Sequence, residues 1–219
     1  MGFAENNPHH NNFSWDYCYL FFQKYHQLPS HERDSKMELA CLHLGFFLAS
    51  WGMFRGKAFL RSKNYTVYTP VITAIMDTKF NCLWNITDKQ WLADSEAVKD
   101  IIKLISCLKT AICHAFIQNV NGQQKFPNVS ETLVTKIILG TLGCSPAYDQ
   151  YFKAGLGLHG ISPQRFNYRS LENILAFCRN NIASMDKIRK QMKDLPTICP
   201  IVDIPFMKII DMYFYLEGQ

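Results

Sequence analysis

The segment SEAVKDIIKLISCLKTAICHAFIQ, residues 95–118, decides the fold. Its apolar side chains (Ala97, Val98, Ile101, Ile102, Leu104, Ile105, Leu108, Ile112 and Phe116) recur at three- and four-residue intervals. That spacing follows the 3.6-residue turn of a helix and not the two-residue alternation of a strand, so it predicts one long helix with a broad apolar stripe. So wide a stripe has to be covered by other elements, and the flanking sequence supplies further helices. Phe13 to Tyr25 is aromatic-rich and stops before Leu28 and Pro29. Ser35, Lys36, Met37 and Glu38 have the Ser-x-x-Glu form of a capping box and open an apolar-periodic segment that runs toward Lys63. Pro70 suits the first turn of a helix reaching Met76, Ser130 and Glu131 start one toward Leu139, and Ser170 to Met192 reads as another. Pro205 to Leu216 closes the series before Gly218. Asn64 to Tyr68 is the one strand-like run, and no repeat emerges at solenoid periods. The expected fold is all-α: one compact domain of seven to nine helices, divisible into lobes 1–120 and 121–219 at the polar cluster between Asn119 and Pro127.

Composition agrees with a packed core. Of 219 residues, 48% are hydrophobic, 14% aromatic and only 19% charged, which excludes a disordered or collagen-like chain. With 23 Lys and Arg against 18 Asp and Glu, the formal charge is +5. Between Tyr151 and Asp194 eight bases (among them Lys153, Arg165 and Arg169) face three acids, so this stretch holds the whole excess. Such a face is either simply solvated or neutralises phosphates.

The amino-terminal residues lack a signal-peptide apolar stretch, and the sixteen uncharged residues from Leu39 to Phe54 are too few for a membrane span. The expected compartment is the cytoplasm. Eight cysteines (18, 41, 82, 107, 113, 144, 178 and 199) include no Cys-x-x-Cys pair and read as reduced, mostly buried thiols. No phosphate-cradling Walker loop, dinucleotide fingerprint, nucleophile elbow, His-Glu-x-x-His or zinc-deaminase signature is present. No metal site or cofactor is expected.

Two segments carry chemistry. In the first, residues 135–149, a helix bearing Lys136 breaks at Gly140 and Gly143, turns tightly through Ser145, and a second helix begins at Pro146. Glycines allow positive φ, and the unpaired first amides of a new helix can grip a phosphate, so a hairpin near 131–155 is a candidate backbone clamp. Asp149 lies just beyond it. In the second, residues 200–211, Pro205 opens the last helix, placing Asp203 near its N-cap, with Lys208 and then Asp211 deeper in the helix. A third stretch, residues 49–56, breaks an apolar helix with Ser50, Trp51 and Arg55 and carries Gly52 and Gly56. Trp51, Tyr148 and Trp84 are candidate stacking rings, and Arg55 needs an anionic or hydrogen-bonding partner, which an internal carboxylate would supply without any ligand.

Together the first two segments resemble the helix-hairpin-helix superfamily of DNA glycosylases. Lys136 stands seven residues before Gly143, as the lysine of its bifunctional members stands ahead of the glycine turn, and Val202-Asp203 is similar to its Val-Asp pair. The hairpin reads Gly-Thr-Leu-Gly-Cys-Ser-Pro-Ala in place of the family's Pro-Gly-Val-Gly-x-x-x-Ala, and the interval from Gly143 to Asp203 is longer than the family's. The resemblance implies a hydrolase that breaks the N-glycosidic bond of a flipped, modified base, of the kind used in phage defence. DNA would be its partner, without an obligatory protein partner or membrane. Catalysis would fall to Asp203, with Asp149 and Asp211 as rivals, and Lys136 would form a Schiff base if the enzyme is also a lyase. Gly140, Gly143, Ser145, Lys153, Arg165, Arg169 and Lys208 would contact the DNA, and Trp51, Arg55 and Tyr148 would line the base pocket. The competing reading is a non-catalytic helical module that binds nucleic acid or protein.

Overall fold

A computed structural model describes residues 13–56, 58–93, 95–120, 123–125, 127–193 and 204–219. The chain is all-α: α1 (Phe13–His26), α2 (Ser30–Ser35), α3 (Met37–Ser50), α4 (Thr69–Ile75), α5 (Asp88–Leu92), α6 (Glu96–Ala115), α7 (Glu131–Thr141), α8 (Gln150–Leu158), α9 (Tyr168–Asn180), α10 (Ile182–Lys193) and α11 (Phe206–Glu217). Nine of these have seven residues or more. Short 3₁₀ turns occupy Phe59–Ser62, Tyr65–Tyr68 and Thr78–Leu83. One antiparallel pair, β1 (Gln118–Val120) with β2 (Gln123–Lys125), forms at the polar cluster and places Gln118 opposite Lys125.

The stripe that decides the fold is buried as its period requires: Val98, Ile102, Ile105, Leu108 and Ile112 of α6 face α4, α7, α9 and the 78–83 turn. The centre of the molecule is α7, whose residues from Leu133 to Thr141 are all buried. It packs on α1, α3 and α6, and Trp15 Nε1 of α1 donates to its Leu139 carbonyl at 3.0 Å. Gln23 of α1 likewise donates to the carbonyl of Thr141 at 3.1 Å, satisfying an end of the helix that has no intrahelical partner. Buried residues from both sides of the 119–127 connection therefore belong to one cluster. Gly140 sets the closeness of α3, since a Cβ there would strike the Phe47 ring. On the far side α8 and α11 approach until a Cβ on Gly155 would meet the Phe214 carbonyl.

Several local expectations are corrected. Ser35 ends α2 and donates to Glu32 O at 2.8 Å, so it does not cap α3, which starts without a side-chain cap and stops at Ser50. Asn64 to Tyr68 is not a strand: the Asn64 side chain accepts from Thr66 N and winds the chain into a 3₁₀ turn. The segment 170–192 is two helices broken at Asn181. Of the described cysteines, four are buried, but Cys82 and Cys107 are exposed and Cys113 is intermediate. No helix among the described residues is long and apolar enough to cross a membrane.

Candidate active site

The residues that form the site are placed by the chain's path after α7. Gly143, at φ +70°, closes that helix, with its N–H and that of Leu142 both reaching the Ile138 carbonyl. No tight hairpin follows. Residues 144–149 run back along α7 as non-helical chain, buried as far as Tyr148, and α8 begins at Gln150, four residues later than the expected Pro146.

This return segment is fastened at successive groups. Ala147 N donates to Asp211 Oδ1 at 2.9 Å, and Tyr148 N donates to Thr135 Oγ1 at 2.9 Å. Thr132 Oγ1 donates to the Tyr148 carbonyl at 2.9 Å. Asp149 is thereby brought level with Lys136. Its Oδ1 accepts from Phe152 N at 3.1 Å as the N-cap of α8, and its Oδ2 accepts from Lys136 Nζ at 3.1 Å.

A second pair lies beside the first. Lys208 and Asp211, one turn apart on α11, are both buried and joined at 3.2 Å. Among the described residues the buried charged side chains are Lys136, Lys208 and Asp211, and all three line one small hollow with Asp149. Trp51, just past the end of α3, offers its ring to both ammonium groups, 4.9 Å from Lys136 Nζ and 5.8 Å from Lys208 Nζ to its ring centre. Trp15 takes the other flank of Lys208 at 5.1 Å. Such contacts favour a cation over an aromatic face and partly offset the loss of water.

Burying ions costs several kcal/mol each, and well-packed apolar residues serve stability as well or better. Gathering the buried charges at one point therefore marks this hollow as a candidate site. Burial pushes the Asp211 carboxyl above the usual carboxylate range, opposed chiefly by the Lys208 charge and by the Ala147 N–H. Asp16 of α1 is pushed up to about 6 by burial, again against Lys208.

The two pairs differ in access. The inner hollow around Lys208 and Asp211 holds only about 10 Å³, at the lower limit for one water molecule. Lys136 and Asp149 also face an outer cleft of about 580 Å³, which they line with Ser50, Trp51, Arg55, Thr132, Tyr151 and Tyr215. Tyr215 meets Trp51 edge-on at 6.2 Å, and Tyr151 meets Tyr215 at 5.3 Å, so one wall of the cleft is aromatic. The chain matches no family model, no curated protein and no solved structure.

Of the residues singled out by sequence, Lys136, Asp149, Trp51 and Arg55 meet in this cleft. Others lie elsewhere. Tyr148 is fully buried, bonded through its hydroxyl to Ser170 at 2.8 Å and packed against Phe152 and Phe166, so it is no wall of the pocket. Gly140, Gly143 and Ser145 are buried as well. Phe47 covers Gly140, and Tyr19 and Pro205 crowd Gly143, whose N–H is already given to the Ile138 carbonyl; the turn lines a separate cavity of about 540 Å³ with Lys89 and Arg189. Lys208 is an interior residue and not a surface contact. Lys153 is held by Glu131 at 3.0 Å, whereas Arg165 and Arg169 are exposed. Asp203 lies outside the described residues. Metal-binding groups of three or more His, Cys, Asp or Glu do not occur among the described residues.

Sequence reading missed Trp15, Asp16, Tyr151 and Tyr215, and took Lys208 for a surface group. A signal for Lys208 was available: a lysine amid Ile204, Phe206, Met207, Ile209 and Ile210, with an acid three residues on, is a buried pair in waiting. The aromatic residues gave no such signal, because periodic aromatics fill cores and pockets alike.

Proposed function

We propose that the chain is a DNA glycosylase that hydrolyses the N-glycosidic bond of an extruded, modified base. The observation that carries this reading is the Lys136–Asp149 pair, recessed at the inner end of a cleft with an aromatic wall. Loss of a base leaves positive charge on the sugar, and a carboxylate beside it stabilises that state. Asp149 suits the task because two of its lone-pair positions are engaged, by Phe152 N and Lys136 Nζ, and the remainder can face the cleft. Water then attacks the anomeric carbon, the C–N bond breaks with its electron pair going to the base, and Asp149 takes the water's proton. Trp51 and Tyr215 offer faces on which an unstacked base can rest. The Lys136 ammonium holds the carboxylate in place. In its neutral form the same amine could attack the sugar carbon as a nucleophile.

The test is incubation with DNAs carrying ordinary and modified bases, followed by detection of abasic sites. Base release that D149N abolishes and D203N preserves supports Asp149 as the acid. The opposite result moves the role to Asp203. No base release from any substrate sinks the enzymatic reading. Borohydride trapping of a DNA adduct that K136A cannot form would add lyase chemistry to the assignment.

A further inference from the structure

One charge on the cleft, that of the exposed Arg55, is not paired by another side chain among the described residues. Lys136 and Asp149 satisfy each other at 3.1 Å, which leaves Arg55 as the remaining ionised residue on the lining. Among the described residues no carboxylate forms an ion pair with Arg55, so the internal partner that would have accounted for it is not seen there.

Although exposed, the side chain does not reach straight away from the protein. The turn that follows α3 is built on two left-handed glycines, Gly52 at φ +76° and Gly56 at φ +60°, and Arg55 N donates to the Gly52 carbonyl at 3.3 Å. This folds the side chain back across Gly52. Arg55 Nε and Cδ lie 3.2 and 3.3 Å from where a Cβ on that glycine would sit. A Cβ on Gly52 would crowd the Arg55 side chain there by a few tenths of an ångström and would be strained at that φ, so glycine suits this place on the cleft lining.

We propose that Arg55 binds phosphate, so that the ligand of this cleft is a phosphate-bearing nucleotide unit and not a bare base or nucleoside. The proposal rests on the nucleoside-binding reading of the cleft. It replaces the buried glycine turn as the phosphate grip. A guanidinium presents forked donors that match phosphate oxygens, and the neighbouring aromatic wall of Trp51, Tyr151 and Tyr215 suits the ring attached to that phosphate. The cleft's size, about 580 Å³, falls within the range of small-ligand sites. The phosphate could belong to a strand or to a free nucleotide, and the two are separable.

The experiment measures binding to the full chain and its R55Q and R55K variants. The probes are a labelled single-stranded oligonucleotide across a salt series, deoxyadenosine 5′-monophosphate, and deoxyadenosine. If the phosphate is a strand's, R55Q weakens oligonucleotide binding about tenfold or more and lowers the log–log salt slope by about 0.7, while monophosphate and nucleoside bind alike. If it is a free nucleotide's, the wild-type chain binds the monophosphate about tenfold more tightly than the nucleoside, and R55Q abolishes that preference. In either case R55K, which keeps the charge without the fork, lies between the other two. The proposal is overturned if R55Q changes neither the salt slope nor the nucleotide preference, or if the wild-type chain binds neither the oligonucleotide nor the monophosphate. Arg55-dependent binding by a chain that forms no abasic sites would defeat the enzymatic reading alone.

Discussion

The Lys136 ammonium lies 3.1 Å from the Asp149 carboxylate across thirteen residues of chain, and the same carboxylate caps α8. One side chain thus ends a buried return segment, starts a helix and neutralises an interior cation. The two partners are unequal: Asp149 keeps some contact with solvent, with 15% of its side chain exposed, whereas Lys136 keeps 6%. Removing Asp149 therefore strands a buried ammonium, while removing Lys136 leaves a carboxylate that the cleft can still hydrate.

This asymmetry should appear in a double-mutant cycle. Asp149→Leu is expected to cost roughly 3–5 kcal/mol and Lys136→Met roughly 1–3 kcal/mol, with the double variant well short of the sum. Urea unfolding of the four proteins measures it. Equal single costs that simply add would show that the pair does not act as a unit.

Asp16 makes stability depend on pH. Its carboxyl titrates near 6 in the folded chain against about 4 when unfolded, so the folded state holds the proton more tightly. Stability is then highest below the unfolded value, falls as pH rises from about 4 to 6, and is level above. At about 1.4 kcal/mol per unit the loss is at most roughly 3 kcal/mol, less the share relieved by solvent at a half-buried group. Asp16→Asn should match the wild type at pH 4 and exceed it in urea midpoint at pH 7. A variant weaker at both pH values would mean that the Lys208 attraction outweighs burial.

Tyr148 separates the structural account from the sequence-based one. Tyr148→Phe gives up the Ser170 bond and is expected to cost about 1 kcal/mol. Any base release should continue at the wild-type rate, since the ring faces Phe152 and Phe166. A large fall in turnover with the fold intact would return Tyr148 to the pocket wall.

Glycine substitutions test the helix contacts around the site. Gly155→Ala would set a methyl group against the backbone of Phe214, which cannot swing aside, and should cost about 3 kcal/mol or more. Gly160→Ala meets nothing within 4 Å and bears only the strain of φ +67°, about 1–2 kcal/mol. Thermal melts of the two variants, read side by side, check the order. The reverse order would contradict the close approach of α8 and α11.

The helices were legible where the period was long and the caps were local. The α6 stripe, the Ser130 cap of α7 and the end of α11 at Gly218 all follow from neighbours within a few residues. Expectation failed where a side chain had two possible uses. Ser35 finished one helix instead of starting the next, and Asn64 turned a β-branched run into a 3₁₀ turn. The glycine hairpin was misread for a related reason. Gly140 and Gly143 do permit close approach, and the side chains the fold brings against them are Phe47, Tyr19 and Pro205.

By itself the amino-acid order determined the all-α class, most helix boundaries and the chemical candidates Lys136, Asp149, Trp51 and Arg55, because periodicity, capping and residue chemistry are local properties. Only the tertiary structure decided which of them meet. It drew the 144–149 segment back along α7, buried Lys208 with Asp211, turned Tyr148 into the core and left Arg55 on the cleft. Those outcomes depend on contacts between residues far apart in the chain, such as Ala147 with Asp211 and Trp15 with Leu139, and no local pattern encodes which distant partner a buried group will find.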